Sequence, residues 1–291
     1  MPELGKKFIL RDLFFLKFQN GKYTIIDEKF RSTLQQFFKP FVSTGQPGNE
    51  AVKGNNHDES SYGRKDPDVL IKHWIAGSRA EGDAHGTEVE EVGVRFLGLP
   101  CDLASDDLQD LCRAAWNWKS GVRVLVNAAG VLVRKPDHEL GVGDWNATFN
   151  VNVRAPYLLM HSLGTRMSEA GGGVIVNVAS VAAEQVTGAP GPYQASKAAL
   201  VQATRYFASR LAPRVRVNAV GPAYVRTNMS ADWLAQEANR HWVEERTPLG
   251  RLAEAADVAE VVAFLASDGA AYVTGQHLLI DGGWSIGIVK R

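Results

Sequence analysis

Tyr193 stands four residues before Lys197 in the run "GPYQASKAAL", so on a helix the phenol and the ammonium share one face, one turn apart. A phenol has an ordinary pKa of about 10 and is a poor base at neutral pH. A neighbouring ammonium favours the ionised form, and here it is expected to bring that pKa down. A tyrosine so placed can trade a proton with an alcohol or carbonyl oxygen. Ser180 ends the apolar run "GGVIVNVAS" just before the tyrosine's segment and offers a hydroxyl to hold the same oxygen. The Tyr-x-x-x-Lys spacing also occurs where the ring packs on a helix flank and the lysine is solvated, so it carries weight only in company.

The elements that must position these side chains are legible from residue 69 onward. Short apolar runs, "VLIKHWIA", "VRFLGLPC", "VRVLVNAAG", "GGVIVNVAS", "VRVNAVG" and "QHLLID", suit buried parallel strands. Between them lie the helical segments "SDDLQDLCRAAWNW", "VGDWNATFNVNVRAPYLLMHSLGTRMSEA", "YQASKAALVQATRYFASRLA" and "AADVAEVVAFLAS". Ser105 ahead of two aspartates predicts an N-cap for the first, and Gly171 to Gly173 stop the second. The alternation predicts an α/β fold, a doubly wound parallel sheet of Rossmann-like type in a single domain. Ligands of such sheets bind beyond the carboxyl ends of the strands. That edge carries Asp102, Asn127 to Gly130, Ser180 and Pro222 to Thr227.

With these motifs in order, the chain resembles the short-chain dehydrogenase/reductase family over residues 69 to 287. The resemblance rests on "NAAG" at 127 to 130, Asn152 in "FNVNV", Ser180 thirteen residues before Tyr193, and "GPAYVRT" followed by "IDGG". It implies an NAD(P)-dependent oxidoreductase that passes hydride between a nicotinamide and a small alcohol or its carbonyl. By the same resemblance Tyr193 is the general acid/base, Ser180 orients the carbonyl, Lys197 binds the nicotinamide ribose, and Asn152 holds a relay water. A cofactor cleft is implied at Asp102 and Leu103, at Asn127, Ala128 and Gly130, at Tyr193 and Lys197, and at Pro222, Val225 and Thr227. Asp102 is read as an adenine contact or as a turn former, and Asn127 as a stabiliser of the central strands. The family usually has Pro-Gly where this chain has Pro222-Ala223.

The main departure lies upstream. The family opens with Thr-Gly-x-x-x-Gly-x-Gly, whose glycines let the backbone approach the pyrophosphate, and no such stretch exists here. In the nearest, "FVSTGQPGNEAVKG", Glu50 and Ala51 follow and the third glycine is absent, so a side chain would crowd the phosphate and the glutamate would repel it. A missing cradle predicts that NADP(H) binds weakly or not at all. "WIAGSRAEG" fits a second strand ending near Arg79, and an arginine there suits the 2′-phosphate of NADP, with NAD as the other option. Residues 1 to 68 are therefore read as an atypical N-terminal segment, partly disordered or a degenerate first βα unit, and 69 to 291 as the catalytic domain. Two functions stay open: the oxidoreductase, and a non-catalytic relative that has lost tight cofactor binding. A hydrolase built on Ser180 is disfavoured because no glycine-flanked elbow surrounds it.

Composition narrows the setting. The chain has 291 residues, 45% of them hydrophobic, with 32 basic against 32 acidic side chains, which makes no electrostatic case for nucleic acid or membrane partners. Cys101 and Cys112 are too few for a disulfide framework and are read as reduced, and no metal site is expected. "FILRDLFFLKF" is broken by charges and reads neither as a membrane span nor as a signal core, so cytoplasmic residence is the default. The resemblance further implies a homodimer or homotetramer built through "YFASRLA" and "IDGGWSIG", and a substrate lid between Thr227 and the last helix. Trp233, His241 and Trp242 either line that lid's pocket or pack it on the body.

Overall fold

The computed structural model describes residues 99, 101–104, 107–118 and 121–287, together with the two strands β1 (Leu13–Lys17) and β2 (Lys72–Trp74). Arg79, Ser105 and the stretch 43–51 lie outside the described residues. Beyond β2 the chain runs through α1 (Gln109–Asn117), β3 (Val124–Asn127), α2 (Val142–Phe149) and α3 (Ala155–Glu169). It continues through β4 (Gly173–Val178), α4 (Gly191–Leu211) and β5 (Val215–Pro222). Helices α5 (Asn228–Leu234) and α6 (Glu237–Arg246) precede α7 (Ala255–Ala266) and β6 (His277–Ile280).

The strands form one parallel sheet in the order β2-β1-β3-β4-β5-β6. The chain steps outward from β1 to β2, then returns past β1 to β3, which makes the β1/β3 boundary the switch point where such sheets open a ligand crevice. "LFFLK", in a region without clear helical or strand period, is held in the sheet by its register with β3, Leu13 opposite Val124 and Leu16 opposite Asn127.

Period-two alternation divides the core into two layers. Leu125, Ile175 and Val217 face α1, α3 and α4, where Leu111, Leu159, Leu163 and Phe207 meet them. Val124, Val126, Val176 and Val220 face the other way onto Val262 and Leu265 of α7. Each large apolar side chain so buried contributes about 1.5–3 kcal/mol, and the strands read as unbroken apolar runs because both faces are covered. The doubly wound parallel sheet is thus the fold of this chain.

Local chemistry sets the element ends. The first helix starts at Gln109, later than the Ser105 reading requires, because the Asp107 carboxylate accepts the Gln109 N–H at 2.8 Å and closes a tight turn there. The long second helical segment is interrupted by a π turn over Asn150–Arg154, immediately before Pro156, which has no N–H to continue an α-helical ladder. Gly171 and Gly172 then take φ of 99° and 110°, and the chain turns into β4. Cys101 and Cys112 are free thiols. Among the described residues no helix is long and apolar enough to cross a membrane, and no group of three or more His, Cys, Asp or Glu could hold a metal ion.

Candidate active site

Because the strands are parallel, their carboxyl ends share one edge of the sheet, and the loops leaving β3, β4 and β5 converge there. Ser180 leaves β4 in extended conformation and caps the following 3-10 turn, its Oγ accepting the Ala182 N–H at 3.1 Å and lying 3.5 Å from the Pro222 carbonyl at the end of β5. Tyr193 and Lys197 lie in the first two turns of α4. The loop before that helix is braced by Gln194, whose Nε2 donates to the Ala189 carbonyl at 2.5 Å and whose Oε1 accepts the Thr187 N–H at 3.1 Å.

Lys197 is 4% exposed; its Nζ donates to the Val178 carbonyl at 2.9 Å and sits 5.7 Å from the centre of the Tyr193 ring. Burial drops its pKa from 10.5 to about 8, since the ammonium has lost most of its water. The Tyr193 phenol is pushed up, not down: burial dominates, and the Ser180 hydroxyl and the charge of Arg134 offset it only in part. The expected depression by Lys197 is therefore overturned. Desolvation penalises the phenolate more than its neighbours favour it, and the ammonium is itself desolvated and spends a hydrogen bond on Val178.

Asn152 occupies the π turn and is fully buried. Its Oδ1 accepts the Val131 N–H at 2.8 Å, and its Nδ2 donates to the Val131 carbonyl and to Ser196 Oγ, both at 3.0 Å. The side chain is spent on protein partners and clamps the loop leaving β3 onto α4. Ser196, which the sequence reading passed over, completes the link by donating to the Tyr193 carbonyl at 2.7 Å. Its position three residues after Tyr193 is where a helical serine back-bonds to the preceding turn.

The residues named for a dinucleotide follow the same edge. A Cβ built on Gly130 would come within 3.4 Å of Lys197 Nζ and 3.5 Å of Asn152 Oδ1, so the bare backbone there keeps the space over both groups open. Asn127 donates to Asn177 Oδ1 at 2.7 Å, in the row where the two residues pair, and its own Oδ1 is buried without a partner. The strand-stabilising role holds for its Nδ2, while its Oδ1 remains a buried acceptor. Thr227 and Ser230 cap α5, Ser230 Oγ also donating to the Val225 carbonyl at 2.6 Å, which fixes the loop from Pro222 to Thr227. These groups fit the nicotinamide end of a dinucleotide. Asp102 accepts the Ala104 N–H at 2.9 Å as a turn former, and the Leu103 side chain is buried in the core, so that residue has only its backbone to offer.

The segment from Tyr224 through α6 is packed by aromatic rings. Tyr224 stacks on Trp233 at 5.4 Å and meets Trp284 edge-on at 5.0 Å, with Trp242 5.1 Å from Trp284. His241 instead pairs with Glu245 at 3.0 Å, both side chains well exposed. A second residue that sequence reading missed is Arg134, in the loop after β3, which donates to the Met229 carbonyl of α5 at 3.4 Å and whose charge reaches the phenols of Tyr193 and Tyr224. Its signal was a basic residue a few positions past a strand end at the ligand edge.

The family model for enoyl-(acyl carrier protein) reductase matches residues 75–285. The chain is 37% identical over 218 residues to cis-4-hydroxycyclohexanecarboxylate dehydrogenase of Sinomonas cyclohexanicum, across 72% of this chain and 86% of that one. It is 31% identical over 220 residues to dehydrogenase/reductase SDR family member 4 of Sus scrofa, across 72% and 77%. Among solved structures, a protein of Beutenbergia cavernae described as an NAD(P)-dependent gluconate 5-dehydrogenase, with NADP bound at low occupancy, superposes with a TM-score of 0.67 at 35% identity, covering 75% of this chain and 86% of that one. A match of this extent to the family model, with relatives this similar along most of the domain, means that the chain belongs to the short-chain dehydrogenase/reductase family.

Proposed function

We propose that this chain is an NADP-dependent oxidoreductase that interconverts a small alcohol and its carbonyl by hydride transfer, with Tyr193 as general acid and base. The observation that carries the reading is the meeting of Ser180, Tyr193 and Lys197 at the edge where the loops after β3, β4 and β5 converge. The NADP bound by the Beutenbergia protein supports the choice of dinucleotide, and Arg79 is the residue assigned to its 2′-phosphate. When bound, the nicotinamide supplies or accepts the hydride.

This chain's residues do the rest. The Tyr193 phenol, protonated at neutral pH and raised further by burial, gives its proton to the developing alkoxide in reduction, and Ser180 donates a second hydrogen bond to the same oxygen. Lys197 holds the ribose and places a positive charge under the phenol while protonated. Asn152 holds the relay water through its backbone carbonyl, because its side chain is engaged and the α-helical donor to that carbonyl would be Pro156. The subunits pair through α3 and α4, on which Tyr157 and Tyr206 are 40% and 49% exposed.

The test is a fluorescence titration with NADPH, followed by turnover assays on a panel of ketones with the wild type and Tyr193→Phe. Cofactor binding with carbonyl reduction that falls at least a thousandfold in the variant is expected, within the ~10²–10⁴ range of acid–base effects and adding the loss of the hydrogen bond. Absence of NADPH binding at millimolar concentration would favour the non-catalytic reading. Undiminished turnover by the variant would remove Tyr193 from the chemistry.

A further inference from the structure

We infer that the substrate is a small organic anion, a hydroxy or oxo carboxylate, whose carboxylate pairs with Arg134 and whose carbon skeleton rests on the ring of Tyr224. This deepens the proposed function and rests on it for the reacting end of the molecule.

Five observations lead there. Arg134 leaves β3 at the ligand edge and reaches across to α5, where its guanidinium donates to the Met229 carbonyl at 3.4 Å, long for such a bond. Among the described residues no carboxylate pairs with it; the neighbouring Lys135 takes Asp144 instead, at 2.8 Å. A guanidinium offers five donors in a planar fork, so one long bond to a carbonyl leaves most of them free for a planar anion.

The position selects the substrate over the cofactor's phosphates. The charge of Arg134 acts on the phenol of Tyr193, which marks the reacting atom, and on that of Tyr224, which stacks on Trp233 of α5. A pyrophosphate in this fold lies instead at the switch point, between β1 and β3. The Met229 methyl group, 4.0 Å from a Cβ built on Gly130, places the residue that Arg134 holds directly over the floor of the site. Tyr224, stacked on Trp233 and wedged against Trp284, supplies a rigid apolar wall on the same side. Cation, wall and reacting phenol together describe a short molecule with a charged end, an apolar middle and a reducible oxygen.

The test separates binding from turnover. The NADP+-loaded protein is titrated by calorimetry with cyclohexanecarboxylate and with the neutral isostere cyclohexanecarboxamide, in the wild type, Arg134→Met and Arg134→Lys. The carboxylate is expected to bind about ten- to a hundredfold more tightly than the amide, a preference abolished in Arg134→Met and partly kept in Arg134→Lys. Circular dichroism establishes that the variants fold. Equal affinity for acid and amide, or a preference that survives Arg134→Met, overturns the inference. So does a loss of NADP+ affinity in Arg134→Met with the preference intact, which would give the arginine to the cofactor. Carboxylate preference in a protein that reduces no ketone leaves the anion site standing and removes the oxidoreductase reading. Ketone reduction without the preference does the reverse.

Discussion

Asn152 holds the backbone of Val131 in both directions, its Oδ1 taking the Val131 N–H at 2.8 Å and its Nδ2 giving a hydrogen to the Val131 carbonyl at 3.0 Å. A single side chain from a π turn thereby replaces the strand partner that the loop after β3 no longer has. Since Nδ2 also reaches Ser196, and Ser196 reaches the Tyr193 carbonyl, the clamp ties the floor of the site to the helix that carries the chemistry.

Replacing Asn152 by leucine, of similar volume, leaves both Val131 groups without their partner, and an unpaired buried group costs about 1–3 kcal/mol. Urea denaturation is expected to show a loss of roughly 2–5 kcal/mol for the two together. An unchanged midpoint would mean that water replaces the amide and that the clamp is dispensable.

Burial holds the Tyr193 phenol above its ordinary value, so the acid form dominates at neutral pH and the base form grows as pH rises. Alcohol oxidation is expected to accelerate from pH 7 to pH 9, while carbonyl reduction stays flat between pH 6 and pH 8. The check is kcat/KM in both directions. An oxidation rate that levels off below pH 7 would show that the loaded enzyme brings the phenol down.

Lys197 carries its own signature. Its pKa falls from 10.5 to about 8 on folding, and at roughly 1.4 kcal/mol per unit the buried ammonium costs about 3 kcal/mol. Below pH 8 it is protonated in both states and the full cost applies. Between 8 and 10.5 the unfolded chain keeps the proton that the folded one has lost, so stability rises with pH. Compared by urea unfolding at pH 7.5 and pH 10, the wild type is expected to gain stability relative to Lys197→Met. Parallel behaviour of the two proteins would place the ammonium in a better-solvated site.

Gly172 turns the chain from α3 into β4 at φ 110°, and a Cβ there would lie 2.4 Å from the Arg214 carbonyl oxygen. Gly172→Ala combines backbone strain with a clash against main chain that cannot swing away, and is expected to cost on the order of 2–4 kcal/mol. Thermal unfolding within a degree of the wild type would contradict this.

Tyr206 and Tyr157 stack across α4 and α3 with ring centres 6.5 Å apart and present apolar surface. If that surface joins two subunits, Tyr206→Glu is expected to yield monomers by light scattering at micromolar concentration, with circular dichroism unchanged. A wild type that is already monomeric would refute the pairing.

What the sequence determined by itself was set by local and periodic signals. The strands around Val124, Ile175 and Val217 are apolar without interruption because both faces are covered, and Tyr193 and Lys197 share a helical face because they are four apart. Ser180, Asn127 and Pro222 could be placed at one edge because parallel strands end together. The tertiary structure decided what depends on partners distant in the chain. "LFFLK" became a strand because β3 offered it hydrogen bonds more than a hundred residues away. Asn152 became a clamp and not a free amide because the loop after β3 folds back onto it. The direction of the Tyr193 shift reversed because desolvation is a property of everything packed around a group, and four residues of spacing carry no measure of it. Arg134 entered the site because α5 lies across the β3 loop, a neighbourhood that only the folded chain creates.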